Sequence, residues 1–337
     1  YVFGFEGPPG TGKTTLAKQG IANCLKDENG EKRPFAFIAL GGSTNGSTLE
    51  GHNYTYVGST WGKIVDAVMT AKCMNPIIYI DELDKISNTE HGREIIGILI
   101  HLTDPSQNEE FSDRYFSGIN IDLSKCLIIF SYNDASKVDR VLLDRIHRIK
   151  TKPLDKYEKT IIIQNYVIPE MIETIGFNAE DIILSEEVIH YLITTYTFEA
   201  GVRKIKEKLY HILRHINLHV LLKSDSFENR PITITKDMID NILENEIKQK
   251  PKFVPKIDRV GVANGLYATA AGVGGLTMIQ MFPMYSEKNF DLKITGQQGD
   301  VMKESITVAQ TVAWHLLTFE VQQALEEKKN WGIHLHC

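Results

Sequence analysis

From position 7 the chain reads Gly7-Pro8-Pro9-Gly10-Thr11-Gly12-Lys13-Thr14. Three glycines let the backbone turn in ways closed to other residues and bring successive N–H groups close to one anion. A helix opening at Thr14 adds free N–H donors and partial positive charge. The Lys13 ammonium supplies a full charge, and the Thr14 hydroxyl is a hard oxygen ligand for a divalent cation. The spacing is G-x-x-x-x-G-K-S/T, that of a phosphate-binding loop. Pro8, Pro9, Gly10, Thr11, Gly12, Lys13 and Thr14 are therefore candidate nucleotide-binding residues, with ATP or GTP as ligand and Mg2+ as its ion. The plain alternative is a glycine-rich turn that binds nothing. The order of elements argues against it, since the apolar run Tyr1-Val2-Phe3 precedes the loop and Thr15 to Leu25 reads as a helix.

Further polar residues follow buried-looking strands. Ile77-Ile78-Tyr79-Ile80 ends in Asp81-Glu82. A carboxylate at a strand tip beside a phosphate loop can hold Mg2+, which is the role expected of Asp81, and the next can activate the attacking water, which is expected of Glu82. An acidic turn after a core strand is the rival reading. Asn133 stands just past the apolar run Cys126 to Ser131 and is placed to sense a γ-phosphate; an Asx turn is its alternative. In Leu142-Leu143-Asp144-Arg145-Ile146-His147-Arg148, Arg145 is the candidate arginine finger for a neighbouring subunit. Arg140 and Arg148 compete with it, and a surface arginine paired to Asp139 or Asp144 is the bland reading. Arg203, in Glu199-Ala200-Gly201-Val202-Arg203, is placed to touch the nucleotide from a second domain, with a plain surface arginine as rival.

These residues need a scaffold. Short apolar runs at Val2–Phe5, Phe35–Leu40, Ile77–Ile80, Cys126–Ser131 and Ile146–Lys150 alternate with helical spacing at Thr14–Lys26, Trp61–Lys72, Arg93–Thr103 and Asp139–Leu143. That alternation predicts an α/β fold, a parallel sheet with helices on both faces, over residues 1–151. Residues 152–247 read as a small helical lid, with helices at Lys156–Val167, Glu186–Tyr196, Ala200–Leu222 and Lys236–Glu246 and one short strand at Pro231–Thr235. The basic, proline-containing stretch 248–257 reads as a linker. Beyond it, over 258–337, strands are expected at Val260–Ala268, Leu276–Tyr285, Phe290–Ile294 and Trp331–His336, with one long helix over Val301–Lys328.

Composition is that of an ordinary globular chain: 337 residues, 42% hydrophobic, 24% charged, with a net charge of −6. That balance argues against a whole-surface nucleic-acid binder. No apolar run reaches the length of a membrane span, and no membrane partner is expected. The four cysteines lack paired spacing, which predicts free thiols in the cytoplasm or another reducing intracellular compartment, the mitochondrial matrix among them. Tyr1 already lies inside the first strand, so the chain reads as an internal piece of a longer protein.

Taken together the motifs resemble an AAA+ ATPase of the Lon type. Gly51-His52-Asn53-Tyr54-Thr55-Tyr56-Val57-Gly58-Ser59-Thr60-Trp61-Gly62-Lys63-Ile64 resembles the Lon pattern G-H-x-x-T-Y-V/I-G-x-x-x-G-R/K-I/V. Asp81-Glu82-Leu83-Asp84-Lys85 resembles D-E-I/L-D-K, and Leu102 to Asn108 with Phe111-Ser112-Asp113 resembles L-D-P-x-Q-N-x-x-F-x-D. Leu142 to Arg145 match L-L-D-R, Glu199 to Arg203 match E-A-G-V-R, and Thr295 to Ser305 is similar to T-G-x-L-G-D/E-V-M-K/Q-E-S, which opens the Lon protease domain.

The resemblance implies an ATP-driven homo-hexamer that unfolds damaged or unfolded protein substrates and threads them to a Ser–Lys dyad. Tyr56 and Val57 match the aromatic–aliphatic pair of the first pore loop, with a core tyrosine as the alternative, and Ser87 to Gly92 occupies the place of the second. Glu304, His334 and His336 match positions near the protease site, while the dyad itself is expected beyond Cys337. Gln298 and the run Val273 to Met281 depart from the family. A non-proteolytic AAA+ remodeller or clamp-loader-like ATPase remains the alternative, and a P-loop kinase the third reading. His211, His215 and His219 share one helix face, and Lys248 to Lys256 offers a weak nucleic-acid contact.

Overall fold

The structure, a computed structural model, describes residues 2–26, 30–42, 45–178, 180–222, 230–249, 254, 257–268, 274–296, 299–328 and 330–337. The chain divides into two compact units, Tyr1–Ile247 and Lys248–Thr269 with Val273–Cys337. Most of the expected linker, together with Val273, Gln297 and Gln298, lies outside the described residues.

Up to residue 151 the first unit holds the strands β1 (Val2–Glu6), β2 (Phe35–Ala39), β3 (Ile77–Asp81), β4 (Phe111–Ser112), β5 (Asn120–Ile121), β6 (Leu127–Tyr132) and β7 (His147–Lys150). Five of them form one parallel sheet in the order β2-β3-β6-β1-β7. The interior strand β3 shows why. Ile77, Ile78, Tyr79 and Ile80 are all 0% exposed, so β3 is covered on both faces as a parallel strand must be. Ile77 and Tyr79 pack with Phe5, Ala17 and Ile129 on one side. Ile78 and Ile80 pack on the other with Ile64, Ile95 and Leu99 from the helices Lys63–Ala71 and Glu90–Thr103 and with Phe130 of β6. Each such isoleucine or phenylalanine contributes roughly 1.5–3 kcal/mol when fully buried. β4 and β5 make a short antiparallel pair that the sequence pattern does not announce.

The lid, also in the first unit, has its own core around Ile163, Leu192, Leu209 and Ile212. A helical run, Lys156–Ile162, the π-helical Ile163–Val167 and Ile168–Ile175, starts at a capping box between Asp155 and Glu158. Helices Glu186–Tyr196, Arg203–Leu221 and Lys236–Ile242 follow. Two two-residue strands, β8 (Ile182–Ile183) and β9 (Ile232–Thr233), pair in parallel between them.

The second unit holds β10 (Val262–Ala268), β11 (Gly274–Tyr285), β12 (Asp291–Thr295) and β13 (Trp331–His336), in the order β10-β11-β13-β12. The expected single helix is two, Asp300–Leu316 and Phe319–Glu327. Leu317 (ψ 146) and Thr318 (ψ 156) are extended, which ends the first helix and makes Thr318 the N-cap of the second. Apolar spacing runs across this break and hides it, whereas threonine before an acidic first turn, here Glu320, is the signal that marks it. Among the described residues no helix is long and apolar enough to cross a membrane.

Candidate functional site

β1 delivers the chain to the loop at Glu6. Gly10 (φ 78) and Gly12 (φ 86) adopt left-handed backbone that other residues take only with strain, and Gly12 caps the helix beginning at Lys13. Lys13 turns back under the loop. Its Nζ donates to the carbonyls of Gly7 (2.5 Å) and Pro8 (3.0 Å) and to Asn133 Oδ1 (3.0 Å). At 8% exposure its ammonium is pulled below the ordinary lysine range by burial, and Asp81 and Asp84 oppose that shift. Thr14 Oγ1 donates to Tyr79 OH at 3.2 Å. The Thr151 hydroxyl donates to Glu6 O at 3.1 Å and meets Thr11 Oγ1 at 3.2 Å, so β7 and the residue after it close one side of the loop.

The acidic strand tip lies next door. Asp81 Oδ1 accepts from the Glu82 N–H at 2.9 Å. Glu82 itself sits in left-handed backbone (φ 61), its carboxylate paired with Lys85 and packed against Gly41, where a side chain would have to displace it. Asp84, which no motif chemistry singles out, has a part as well. Its Oδ2 accepts from the N–H of Asn133 (3.1 Å) and of Asp134 (3.2 Å). A carboxylate from the β3 turn thus fixes the backbone that aims Asn133 at Lys13. The signal was present, as a third carboxylate two residues past Glu82, but its partners are some fifty positions away.

The lid touches the loop through backbone. Val202 N–H donates to Gly10 O at 3.1 Å, and a Cβ on Gly201 would stand 2.1 Å from that oxygen. The Glu199–Arg203 turn is held in place by Lys159 Nζ on Glu199 O (2.5 Å), by Leu154 N–H on Ala200 O (2.9 Å) and by Glu199 Oε1 accepting from Ile205 N–H (3.0 Å). Between lid and loop lies a cavity of about 820 Å³, lined by Pro8, Pro9, Asn133, Thr151, Phe198 and Arg203 among others. That size is in the range of small-molecule sites. Phe198, unmarked in the sequence reading, gives it an apolar wall. Arg203 lines it as the first helical residue, with its side chain 77% exposed and 3.5 Å from Glu207.

The other arginines are placed differently. Arg148 pairs with Glu6 at 2.7 Å and ties β7 to β1. Arg145 Nη1 meets Asp104 Oδ2 at 2.7 Å, and neither Asp139 nor Asp144 is its partner. Asp139 is taken by the helix it caps, accepting from the N–H groups of Val141 and Leu142. Hydrogen bonds from Ser106 and Arg145 hold the Asp104 carboxyl well below the usual range.

Tyr56 (69% exposed) and Val57 (107%) stand out on the turn-built loop between Gly51 and Gly62, not in a core. The loop closes at its neck. Gly62 N–H donates to the fully buried Asp113 (2.8 Å), and a Cβ on Gly62 would collide with Leu49 O. Trp61 stacks with Phe116 and meets Tyr115 edge-on. In the segment 87–92, expected to form the second pore loop, Thr89 caps the helix Glu90–Thr103 and Ser87 Oγ meets Thr89 Oγ1 at 2.7 Å.

In the second unit, His334 Nε2 and His336 Nδ1 both meet Thr295 Oγ1, at 2.9 and 3.0 Å. Glu304 is exposed on its helix and joins neither histidine by a hydrogen bond or ion pair among the described residues. In the lid helix the rings of His215 and His219 lie 4.5 Å apart. Among the described residues no group of three or more His, Cys, Asp or Glu side chains is arranged to hold a metal ion.

Three family models match the chain: the ATPase family associated with various cellular activities (AAA) over residues 3–154, the Lon protease AAA+ ATPase lid domain over 173–230, and the Lon protease (S16) C-terminal proteolytic domain over 233–337. A Lon protease homolog of Acanthamoeba polyphaga mimivirus is 35% identical, covering 100% of this chain and 38% of its own length. A Lon protease of Campylobacter concisus is 35% identical (91% and 36%), and Lon protease 2 of Thermus thermophilus 33% (98% and 39%). The chain spans under two-fifths of the length of these relatives. With the loop, the lid and the proteolytic-domain match in sequence order, the chain belongs to the Lon-type AAA+ family.

Proposed function

We propose that this chain is a motor. It binds ATP with Mg2+ at the Gly7–Thr14 loop, hydrolyses it, and pulls polypeptide with Tyr56 and Val57 in a ring of six copies. In the whole protein the threaded chain is cut by a Ser–Lys dyad outside these 337 residues. The observation that carries the reading is the contact between Lys13 Nζ and Asn133 Oδ1 at 3.0 Å, which joins the phosphate loop to the end of a different strand, 120 residues on.

The donor set fits a nucleotide with its ion. Lys13 is already bonded to two loop carbonyls and an amide, and a phosphate oxygen is a stronger, charged acceptor for the same ammonium. Thr14 Oγ1 and an Asp81 carboxylate oxygen are the hard ligands that Mg2+ takes, and they would hold it. Bound there, the ion offsets phosphate charge and polarises the γ-phosphoryl group.

The remaining work falls to this chain's own side chains. Phe198 from the lid side and Pro8 and Pro9 from the loop side cover the nucleotide and exclude water. Glu82 leaves Lys85 to take the proton of the attacking water, which the Asn133 amide orients. Arg145, supplied by the neighbouring copy, stabilises the charge that develops; such arginines are worth about 10³–10⁵ in kcat. Tyr56 and Val57 offer a ring and a branched side chain on an exposed loop, a surface that grips varied side chains by packing alone.

The test is ATP hydrolysis and degradation of a folded reporter by the full-length protein, with and without Mg2+. Mg2+-dependent hydrolysis coupled to loss of the reporter is expected. Hydrolysis with the reporter left intact at every ATP concentration would favour the non-proteolytic remodeller.

A further inference from the structure

The helix Glu90–Thr103 runs between two contacts that the proposed function keeps apart. Near its start, Glu94 Oε1 accepts from Arg114 Nη2 at 2.7 Å, while its Oε2 accepts from Gly46 N–H at 3.1 Å. Arg114 also bonds Glu50, through Nε to the carboxylate (3.1 Å) and through its backbone N–H to the carbonyl (2.8 Å). Glu50 is the last residue before the loop that bears Tyr56. Arg114's neighbour Asp113 holds the other end of that loop at Gly62. At the helix's far end, Asp104 is the C-cap residue and binds Arg145.

The body between is stiff. Ile95, Ile98, Leu99 and Leu102 are buried in the core, at 5% exposure or less. A Cβ on Gly46 would lie 2.7 Å from Glu94 Cγ and 2.8 Å from Ile98 Cδ1, so the segment leading into the loop rests directly on this helix. Fourteen residues make a rod of about 21 Å at ~1.5 Å per residue. Such a packed element moves as a body rather than bending.

We propose that this helix is the mechanical link between the inter-subunit arginine and the substrate-gripping loop, with Asp104 and Glu94 as positioning residues at its two ends. The inference rests on the proposed function. When Arg145 engages the neighbouring copy's nucleotide, its pull on Asp104 displaces the helix, and the Glu94–Arg114–Glu50 bridge delivers that displacement to the stem of the loop. Neither carboxylate lines the cavity beside the Gly7–Thr14 loop.

The test uses the full-length protein and the variants Glu94→Gln, Glu94→Ala, Asp104→Asn and the double variant Glu94→Ala/Asp104→Asn. Glu94→Ala should keep basal ATP hydrolysis within about twofold, lose tenfold or more in degradation of a folded reporter, and keep degradation of an unstructured peptide. Glu94→Gln retains the acceptor for Gly46 N–H and should lie between Glu94→Ala and the unchanged protein. Asp104→Asn should lower kcat for ATP with KM unchanged. In the double variant the loss of substrate-stimulated hydrolysis should equal that of the worse single variant, since one link is cut only once.

Additive losses, or folded-reporter degradation by Glu94→Ala at the unchanged rate, would overturn the link. If the unchanged protein itself fails to degrade folded reporter with ATP, the proposed function falls and takes the link with it. A thermal melt of each variant separates uncoupling from misfolding, and Glu94→Gln carries the comparison if Glu94→Ala is unstable.

Discussion

Gly10 and Gly201 meet backbone to backbone. A Cβ on Gly201 would stand 2.1 Å from the Gly10 carbonyl oxygen, which accepts a hydrogen bond from the next residue, Val202. The phosphate loop and the lid therefore meet through main chain here, beside the cavity lined by Pro9 and Phe198.

Gly201→Ala puts a methyl group into that contact, where only backbone can yield. We expect the lid to lift from the loop, ATP affinity to fall tenfold or more, and folding stability to drop by roughly 1–3 kcal/mol, the usual cost of overpacking. A fluorescent-nucleotide titration beside a thermal melt measures both. Unchanged affinity would mean that lid and loop are not fixed through this contact.

Asp84 holds the N–H groups of Asn133 and Asp134, and Asn133 in turn accepts from Lys13. Asp84→Ala should therefore resemble Asn133→Ala in ATP turnover, each lowering kcat at least tenfold with nucleotide affinity changed less than threefold. The double variant should be no worse than either alone, because both act on one amide. Multiplying defects would show that Asp84 acts elsewhere.

Glu82→Gln keeps the shape of the strand tip and removes the carboxylate proposed as the base. Binding of ATP should survive while steady-state hydrolysis falls at least a hundredfold, within the range general bases contribute. A near-normal rate would remove Glu82 from the chemistry.

On the proposed function, in which Arg145 serves the neighbouring copy's site, Arg145→Ala should bind ATP and hydrolyse almost none of it. Mixing it with Lys13→Ala, which is expected to lack binding, should restore some turnover at the junctions that pair an intact loop with an intact arginine. The Arg145–Asp104 pair also carries a pH signature. The Asp104 carboxyl is depressed below its ordinary 3.8, so the pair's stabilisation is complete above that pH and is lost as pH falls below it toward the folded value. The Asp104→Asn variant should lack this component of acid sensitivity when acid melts are compared.

The sheet was legible because its strands are short apolar runs with helical spacing between them, and β3, apolar on both faces, is the plainest case. The loop's glycines and Lys13 were legible for the same reason, since their chemistry is local in sequence. What escaped reading is non-local or very short. The partner of Arg145 lies 41 positions upstream, while the nearer candidate Asp139 was committed to capping a helix. The β4–β5 pair, four residues in all, carries too little periodicity to register, yet it places Asp113 and Arg114 under the exposed loop. The turn at Leu317–Thr318 was masked by apolar spacing that continues through it.

The central claim is that hydrolysis at the Lys13 site moves Tyr56 and Val57 against a polypeptide. The most direct measurement follows ATP-dependent degradation of a stably folded reporter and of an unstructured peptide by full-length protein, unchanged and as Tyr56→Ala. The account predicts that Tyr56→Ala hydrolyses ATP within about threefold of the unchanged rate, still degrades the peptide, and loses the folded reporter by tenfold or more. Folded-reporter degradation at the unchanged rate would contradict it.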